Sequence, residues 1–326
     1  MPIINSKYKA PYYLFNGHAE TIVPSIFRKI KDVHYQRERL ELPDGDFLDL
    51  DWLKSGKDKK LVILSHGLEG NAGRHYMKGM AKHFAKNDWD ALAWNCRSCS
   101  GEMNRLPRFY HHGDALDLKA VVDHAVAKKY ITIVLIGFSM GGSMTLRYLG
   151  ENPSMVATAV KGAVAFSVPC DLVSSVYELN KSSRSFYRDR FLRKLGKKIE
   201  LKSKVFPETI RHEGFGQIRS FETFDNRYTA PLHGFKDARD FYMRGSCKPF
   251  LSSIQLPTLI VNAANDPFLT EPCYPTEIAQ DHPFLFLEIP ERGGHVGFSL
   301  LHTEVNWMEL RALQFVRQTI NIIETD

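Results

Sequence analysis

Ile131-Thr132-Ile133-Val134-Leu135-Ile136-Gly137-Phe138-Ser139-Met140-Gly141-Gly142 is the stretch on which the reading of the fold turns. The run Ile131 to Ile136 is β-branched and too short for a helix, as expected of a strand covered on both faces. Met140 to Leu149 carries good helix formers and ends at Gly150, a stop signal. A strand that stops at Gly-x-Ser-x-Gly and resumes as a helix must turn so sharply that the residues flanking the serine carry no side chain, a demand Gly137 and Gly141 meet. Such a turn strains the serine backbone, lifts its hydroxyl above the sheet edge and sets it at the positive end of the next helix. Ser139 is thereby prepared for developing negative charge, the arrangement of a nucleophile elbow.

Outward from the elbow, strand and helix signals alternate. Leu61 to Ser65 reads as a strand, Gly73 to Lys86 as a helix, Asp90 to Asn95 as a strand and Asp114 to Ala127 as a helix. Val160 to Val168, Thr258 to Asn262 and Phe284 to Ile289 continue the strands, and a helical stretch from Glu304 to Ile323 closes the chain. This is the pattern of an α/β fold with a mostly parallel central sheet flanked by helices, and it puts Ser139 mid-sheet. Arg37 to Leu42 and Phe47 to Leu53, joined by Pro43-Asp44-Gly45-Asp46, read as a hairpin at an antiparallel edge. Before it, residues 1–36 form an arm whose segment Pro11 to Ile30 is expected to pack as a short helix and loop.

The rhythm fails between Cys170 and Leu256, which defines a core of residues 1–169 and 257–326 with a cap inserted at 170–256. Tyr187, Phe191 and Leu195 recur at four-residue spacing, so a cap helix with one apolar stripe and a basic remainder is expected. Lys181 to Lys204 holds ten Lys or Arg against Asp189 and Glu200, and the rest of the chain is close to neutral. Peripheral contact of this helix with an anionic lipid surface is the sharper expectation, packing on the core the plainer one. The cap aromatics Phe186, Tyr187, Phe191, Phe206, Phe221 and Phe224 suit either an apolar acyl pocket or the cap's own core.

A serine hydroxyl needs a base within hydrogen-bond reach and a third group to hold that base in one tautomer. With the nucleophile on a strand-to-helix turn, the acid follows a late strand and the histidine the last one. Asp266, after Thr258 to Asn262, is the expected acid, and His295, after Phe284 to Ile289, the expected base. Gly293 and Gly294 before it are expected to let its loop approach the serine. Asp171 and Glu288 are rival acids, worse placed because one follows an earlier strand and the other lies within the last. The oxyanion of a tetrahedral intermediate needs two backbone donors, and Met140 after the serine supplies one. Leu68, in Ser65-His66-Gly67-Leu68-Glu69-Gly70 after an early strand, is expected to supply the other, with His66 shaping that loop. A histidine base must be neutral, so activity is expected to fall on acidification.

Composition bounds the rest. The net charge of +6 on 326 residues is too mild for a nucleic-acid binder. Five scattered cysteines suit reduced thiols, and the spacing of Cys96 and Cys99 lacks a second ligand pair, so burial at a strand end is expected there and no metal or organic cofactor is called for. Met1 to Tyr13 has no signal-peptide core and no apolar stretch reaches about 18 residues, which makes the cytoplasm the expected location. Oligomeric state is not legible.

With these residues placed, the chain resembles the YheT-like group of α/β-hydrolases, the AB hydrolase-4 family. The resemblance spans nearly the full length and rests on Phe15-Asn16-Gly17-His18 with Thr21-Ile22, on the His-Gly-Leu-Glu-Gly loop and on Gly-Phe-Ser-Met-Gly-Gly. Asn95-Cys96-Arg97-Ser98-Cys99-Ser100-Gly101-Glu102 with Asn104-Arg105 and Tyr110-His111 resembles the family's Asn-x-Arg-Gly-x-x-Gly-Glu block, Ser98 standing where glycine is usual. The resemblance implies the α/β-hydrolase fold and carboxylesterase or acylglycerol lipase activity on a small-molecule acyl ester, with Ser139, Asp266 and His295 on the family's triad positions. Mammalian members carry an N-terminal membrane anchor that is not visible here. Acyl transfer through the same acyl-enzyme is the nearest alternative, and a non-catalytic lipid-binding module the more distant one.

Overall fold

The computed structural model describes residues 3–56 and 59–320. Its strands are β1 (Ile3–Ile4), β2 (Gln36–Glu41), β3 (Phe47–Leu53), β4 (Lys60–Ser65), β5 (Asp90–Asn95), β6 (Thr132–Phe138), β7 (Val160–Phe166), β8 (Thr258–Val261) and β9 (Leu285–Glu288). They form one sheet in the order β1-β9-β8-β7-β6-β4-β5-β3-β2, parallel except where β3 pairs with β2 and β5. β6, which runs directly into Ser139, is the middle strand. The helices are α1 (Gly17–Phe27), α2 (His75–Ala85), α3 (Ala115–Ala127), α4 (Met140–Glu151), α5 (Leu172–Asn180), α6 (Ser185–Val205), α7 (Phe221–Phe224), α8 (Ala230–Leu232), α9 (Ala238–Gly245), α10 (Thr276–Gln280) and α11 (Trp307–Phe315).

Alternate residues of each strand feed opposite faces, the period-two consequence of pleating. Leu61, Ile63, Leu92, Trp94, Ile133 and Leu135 pack under α3 and α4 through Leu118, Val121, Val122, Leu146 and Leu149. Val62, Leu64, Ala91, Val134, Ile136 and Leu259 pack under α2 and α11 through Met80, Phe84, Met308 and Phe315. The sheet is thus sandwiched between two apolar layers, which explains why its inner strands read as unbroken apolar runs.

The expected alternation is present, with three differences. The arm adds more than a helix and loop, because β1 pairs in parallel with β9 at the sheet edge. The last helix begins at Trp307 rather than Glu304, since Asn306 and Glu309 form a capping box there, and it gives way to a π-turn at Val316–Ile320; residues 321–323 lie outside the described residues. Between β7 and β8, where no strand is expected, the described residues make none and hold α5 to α9. In α6, Lys194, Lys198 and Lys202 turn inward, so its solvent face is less basic than the spacing implied. Lys202 is fully buried and donates to the carbonyls of Asn104, Leu106 and Arg108, while Lys198 pairs with Glu69 at 2.7 Å.

Those carbonyls belong to the loop after β5. Arg97 there is buried against Asp117 and Asp46, each at 2.8 Å, and Asn104 also donates to Asp46. Removing the cation from such a set typically costs about 3–5 kcal/mol, because the carboxylates stay buried without it. Ser98 takes a φ of 62°, the left-handed region, which is why glycine suits this position and why its hydroxyl folds back onto Asn104 N at 3.1 Å. Cys96 and Cys99 are buried free thiols, as are the other three cysteines. Among the described residues no helix is long and apolar enough to cross a membrane.

Candidate active site

The turn at Ser139 is as tight as its glycines imply. Ser139 has φ 54° and ψ −119°, held by its N–H donating to Phe166 O at 2.8 Å. A Cβ at Gly137 would strike the carbonyl of Gly141, and one at Gly141 the carbonyl of Ser65. The backbone strain of about 1–3 kcal/mol typical of such a residue is therefore enforced by close backbone packing on both sides.

Three loops converge on that hydroxyl. His295 Nε2 lies 2.9 Å from Ser139 Oγ, and His295 Nδ1 lies 2.8 Å from Asp266 Oδ2. The other oxygen of Asp266 accepts from Phe268 N at 2.9 Å, which fixes the carboxylate, and the ring of Phe268 stacks on the imidazole at 4.1 Å. With Asp266 accepting from Nδ1–H, the lone pair of Nε2 faces the serine hydroxyl. The rival acids are engaged elsewhere: Asp171 caps α5 by accepting from Ser174 N, and Glu288 is buried against Arg311 at 2.6 Å.

Leu68 and Met140 both lie beside the serine. Met140 opens α4, where the first N–H groups have no intrahelical acceptor, and Leu68 lines the space around Ser139 on both sides. The Leu68 loop is pressed so close that a Cβ on Gly67 would sit 3.2 Å from Ser139 Cβ. His66 holds it from beneath. Burial pulls the pKa of His66 down to about 4, so the ring is neutral near pH 7, and because Nε2 accepts from Cys96 N at 3.1 Å, Nδ1 carries the proton and donates to Gly67 O at 2.8 Å. The expected loop-shaping role of His66 is therefore the observed one.

The support of His295 comes from a quarter sequence reasoning missed. Its loop takes positive φ at Gly293, Gly294, Val296 and Phe298, and is strained at the two that are not glycine, Val296 being β-branched. The arm helix α1 holds it: His295 N donates to Thr21 Oγ1 at 2.8 Å, and the buried carboxylate of Glu20 accepts from Gly293 N and Asn265 Nδ2, each at 2.8 Å, and pairs with Arg292 at 2.7 Å. Val296 N donates to Ser167 Oγ at 2.9 Å. A Cβ at Gly294 would meet Gly17 O and Thr21 Oγ1, so this glycine admits α1 rather than clearing a path to the serine, which corrects the expected reason for it. Thr21 stood in the quoted arm motif; its contact with the histidine loop has no signature in the sequence.

Of the cap aromatics, Phe191, Phe221 and Phe224 line the space beside Ser139, Phe206 packs against the core and Phe186 is exposed. Among the described residues no group of three or more His, Cys, Asp or Glu is arranged to hold a metal ion.

A protein of Escherichia coli strain K12 named "Putative esterase YheT" is 33% identical to this chain over 312 residues, covering 91% of this chain and 88% of that protein. The chain belongs to the YheT-like, AB hydrolase-4 family of α/β-hydrolases. The mouse protein named Phospholipase ABHD3 is 26% identical, over 98% of this chain and 80% of its own length. The family model described as Serine aminopeptidase, S33 matches residues 56–212 of this YheT-like hydrolase. Pyrococcus furiosus esterase Pf2001 shares the fold, with a TM-score of 0.60 at 19% identity over 90% of this chain and 97% of that one.

Two expectations follow for the YheT-like chain. Thr21→Val removes the acceptor of His295 N and should lower kcat for ester substrates roughly tenfold or more with KM little changed, whereas Thr21→Ser should restore it; equal kcat in Thr21→Val would show that α1 does not position the histidine. Asp225, buried beside the same space and bonded by Thr229 and Tyr242, has its pKa pushed from 3.8 up to about 7, by burial first, with both bonds opposing. The folded protein keeps a proton there that the unfolded chain loses above about 4, so stability from this group is full below that pH and is lost as pH rises through about 7. Thermal midpoints of Asp225→Asn should gain on those of the unsubstituted protein across that window, and parallel profiles would refute it.

Proposed function

We propose that this hydrolase cleaves carboxylic esters through an acyl-enzyme formed on Ser139. The observation that carries the reading is the unbroken chain from Ser139 Oγ through His295 to Asp266, at 2.9 and 2.8 Å. Ser139 Oγ attacks the ester carbonyl carbon while its proton passes to His295 Nε2. Asp266 holds Nδ1–H and stabilises the imidazolium. The oxyanion is received by the backbone N–H groups of Leu68 and Met140. As the tetrahedral species collapses, the bond from carbon to the alcohol oxygen breaks and His295 returns its proton to that oxygen. Water, activated by the same histidine, then releases the acid.

The segment 170–256 serves in this reading as a cap over the acyl chain. Val176, Phe191, Leu195, Phe221 and Phe224 wall a cavity which begins at Ser139 and suits an aliphatic acyl group better than a charged one. A peptide amine would need a carboxylate to receive its ammonium group. Glu69 and Asp225, the carboxylates of that cavity, are already bound by Lys198 and Tyr110 and by Thr229 and Tyr242. Five buried reduced thiols fit action in a reducing cytoplasm.

Ser139→Ala should reduce turnover of nitrophenyl esters at least about a thousandfold without lowering the thermal midpoint, and octanoyl esters should be preferred over acetyl esters by the unsubstituted protein. Retained turnover in Ser139→Ala would remove the nucleophile from this reading, and a preference for acetyl would remove the cavity as acyl site. Product analysis with an added acceptor alcohol separates hydrolysis from acyl transfer.

A further inference from the structure

Glu69, the residue after Leu68, is gripped from two directions. Gly67 to Gly70 form a turn closed by Gly70 N donating to Gly67 O at 2.9 Å. Glu69 fills its third position with φ 54°, the left-handed setting that a type II turn demands there and that glycine usually supplies. A residue with a side chain is strained in that setting and keeps it only where other contacts hold it. From the core, Arg74 Nη2 donates to Glu69 O at 3.1 Å, while Tyr110 OH accepts from Glu69 N at 3.1 Å and donates to Glu69 Oε1 at 2.6 Å. From the cap helix α6, Lys194 Nζ donates to the same carbonyl at 3.0 Å and Lys198 Nζ to the same carboxylate oxygen at 2.7 Å.

We propose that Lys194 and Lys198 are positioning residues for the oxyanion hole: by fastening Glu69 they keep the turn closed and the Leu68 N–H aimed, so that the hole is complete only with the cap seated. This deepens the esterase reading and rests on it. The link runs through one rigid unit. Gly67 O and Leu68 N–H belong to the same planar trans peptide and point in opposite directions, so whatever orients the carbonyl orients the donor. That carbonyl accepts from Gly70 N and from His66 Nδ1, and the first of these bonds lasts only while Glu69 stays left-handed. A relaxed Glu69 swings Gly70 N away and loosens the peptide that bears the donor. Fold stability does not account for Lys194. Burial first, and the cation of Arg74 next, pull its pKa down to about 8, and among the described residues it pairs with no carboxylate, so below that pH its ammonium group destabilises the folded state. It nonetheless lines the space beside Ser139, where its hold on Glu69 gives it a use in the site.

The test separates turnover from stability. Lys194→Met, which keeps an apolar stem and removes the donor, should lower kcat for octanoyl nitrophenyl ester roughly tenfold or more with KM little changed, while the thermal midpoint stays level or rises. Lys194→Arg should restore kcat, and Arg193→Gln, on the exposed side of α6, should leave it unaltered. Glu69→Gln combined with Lys198→Met removes both partners of the buried pair together and should lower kcat in the same sense. Phosphonylation of Ser139 by a fluorophosphonate also places negative oxygen in the hole, and should slow in parallel in Lys194→Met. An undiminished kcat and labelling rate in Lys194→Met, or a loss of kcat that comes only with a lowered thermal midpoint, would overturn the proposal while leaving ester cleavage by Ser139 in place. An unsubstituted protein that turns over no ester, yet is labelled more slowly once Lys194 is replaced, would count against the ester substrate and uphold the grip of the cap on the oxyanion loop.

Discussion

The backbone of Ser139 is the constraint around which the molecule is arranged. A left-handed, strained serine persists only where its surroundings leave no alternative, and here the surroundings are other backbones. Gly137 lies against Gly141, Gly141 against the end of β4 and Gly67 against the serine itself. The central strands must therefore be in register before the hydroxyl is presented, and the register comes from apolar residues feeding two packed layers on either side of the sheet. Fold and site are linked through this one turn. Its direction, upward from the carboxyl end of the middle strand, also decides which loops can meet it.

Those loops are strained in their turn, and the restraint comes from outside the sheet. The loop bearing His295 has four residues at positive φ, and what holds it is a helix from the far end of the chain. Glu20 is the centre of that contact: a buried carboxylate accepts from two donors on the acid and histidine loops and pairs with Arg292, so α1 ties both to one point. A charge removed from water is costly unless it is paired and hydrogen-bonded, and Glu20 is both. The arrangement makes the arm part of the site rather than an appendage.

Much of this was readable from the chain and some was not, for identifiable reasons. β4 to β9 stand out because strands covered on both faces must be apolar throughout. The chemistry of Ser139, Asp266 and His295 stands out because each follows a strand in the order such a site requires. β1 was invisible, since two residues give no periodicity. The start of α11 was misplaced although the pair Asn306 and Glu309 was there to be read as a capping box. The inward lysines of α6 have no pattern-level signature at all: hydrophobic spacing assigns lysine to solvent, and only the assembled loop carbonyls at 104–108 and the Glu69 carboxylate call Lys202 and Lys198 inside. The basic excess of this segment is thus spent partly on holding the cap against the core.

The central claim is that packing and hydrogen bonding have made one hydroxyl among many nucleophilic. Labelling with a fluorophosphonate, followed by intact-mass and peptide analysis, addresses it without any assumption about substrate. A single adduct on Ser139, slowed by orders of magnitude in Asp266→Asn, is the predicted result. An unlabelled protein, or an adduct on another residue, would contradict the account.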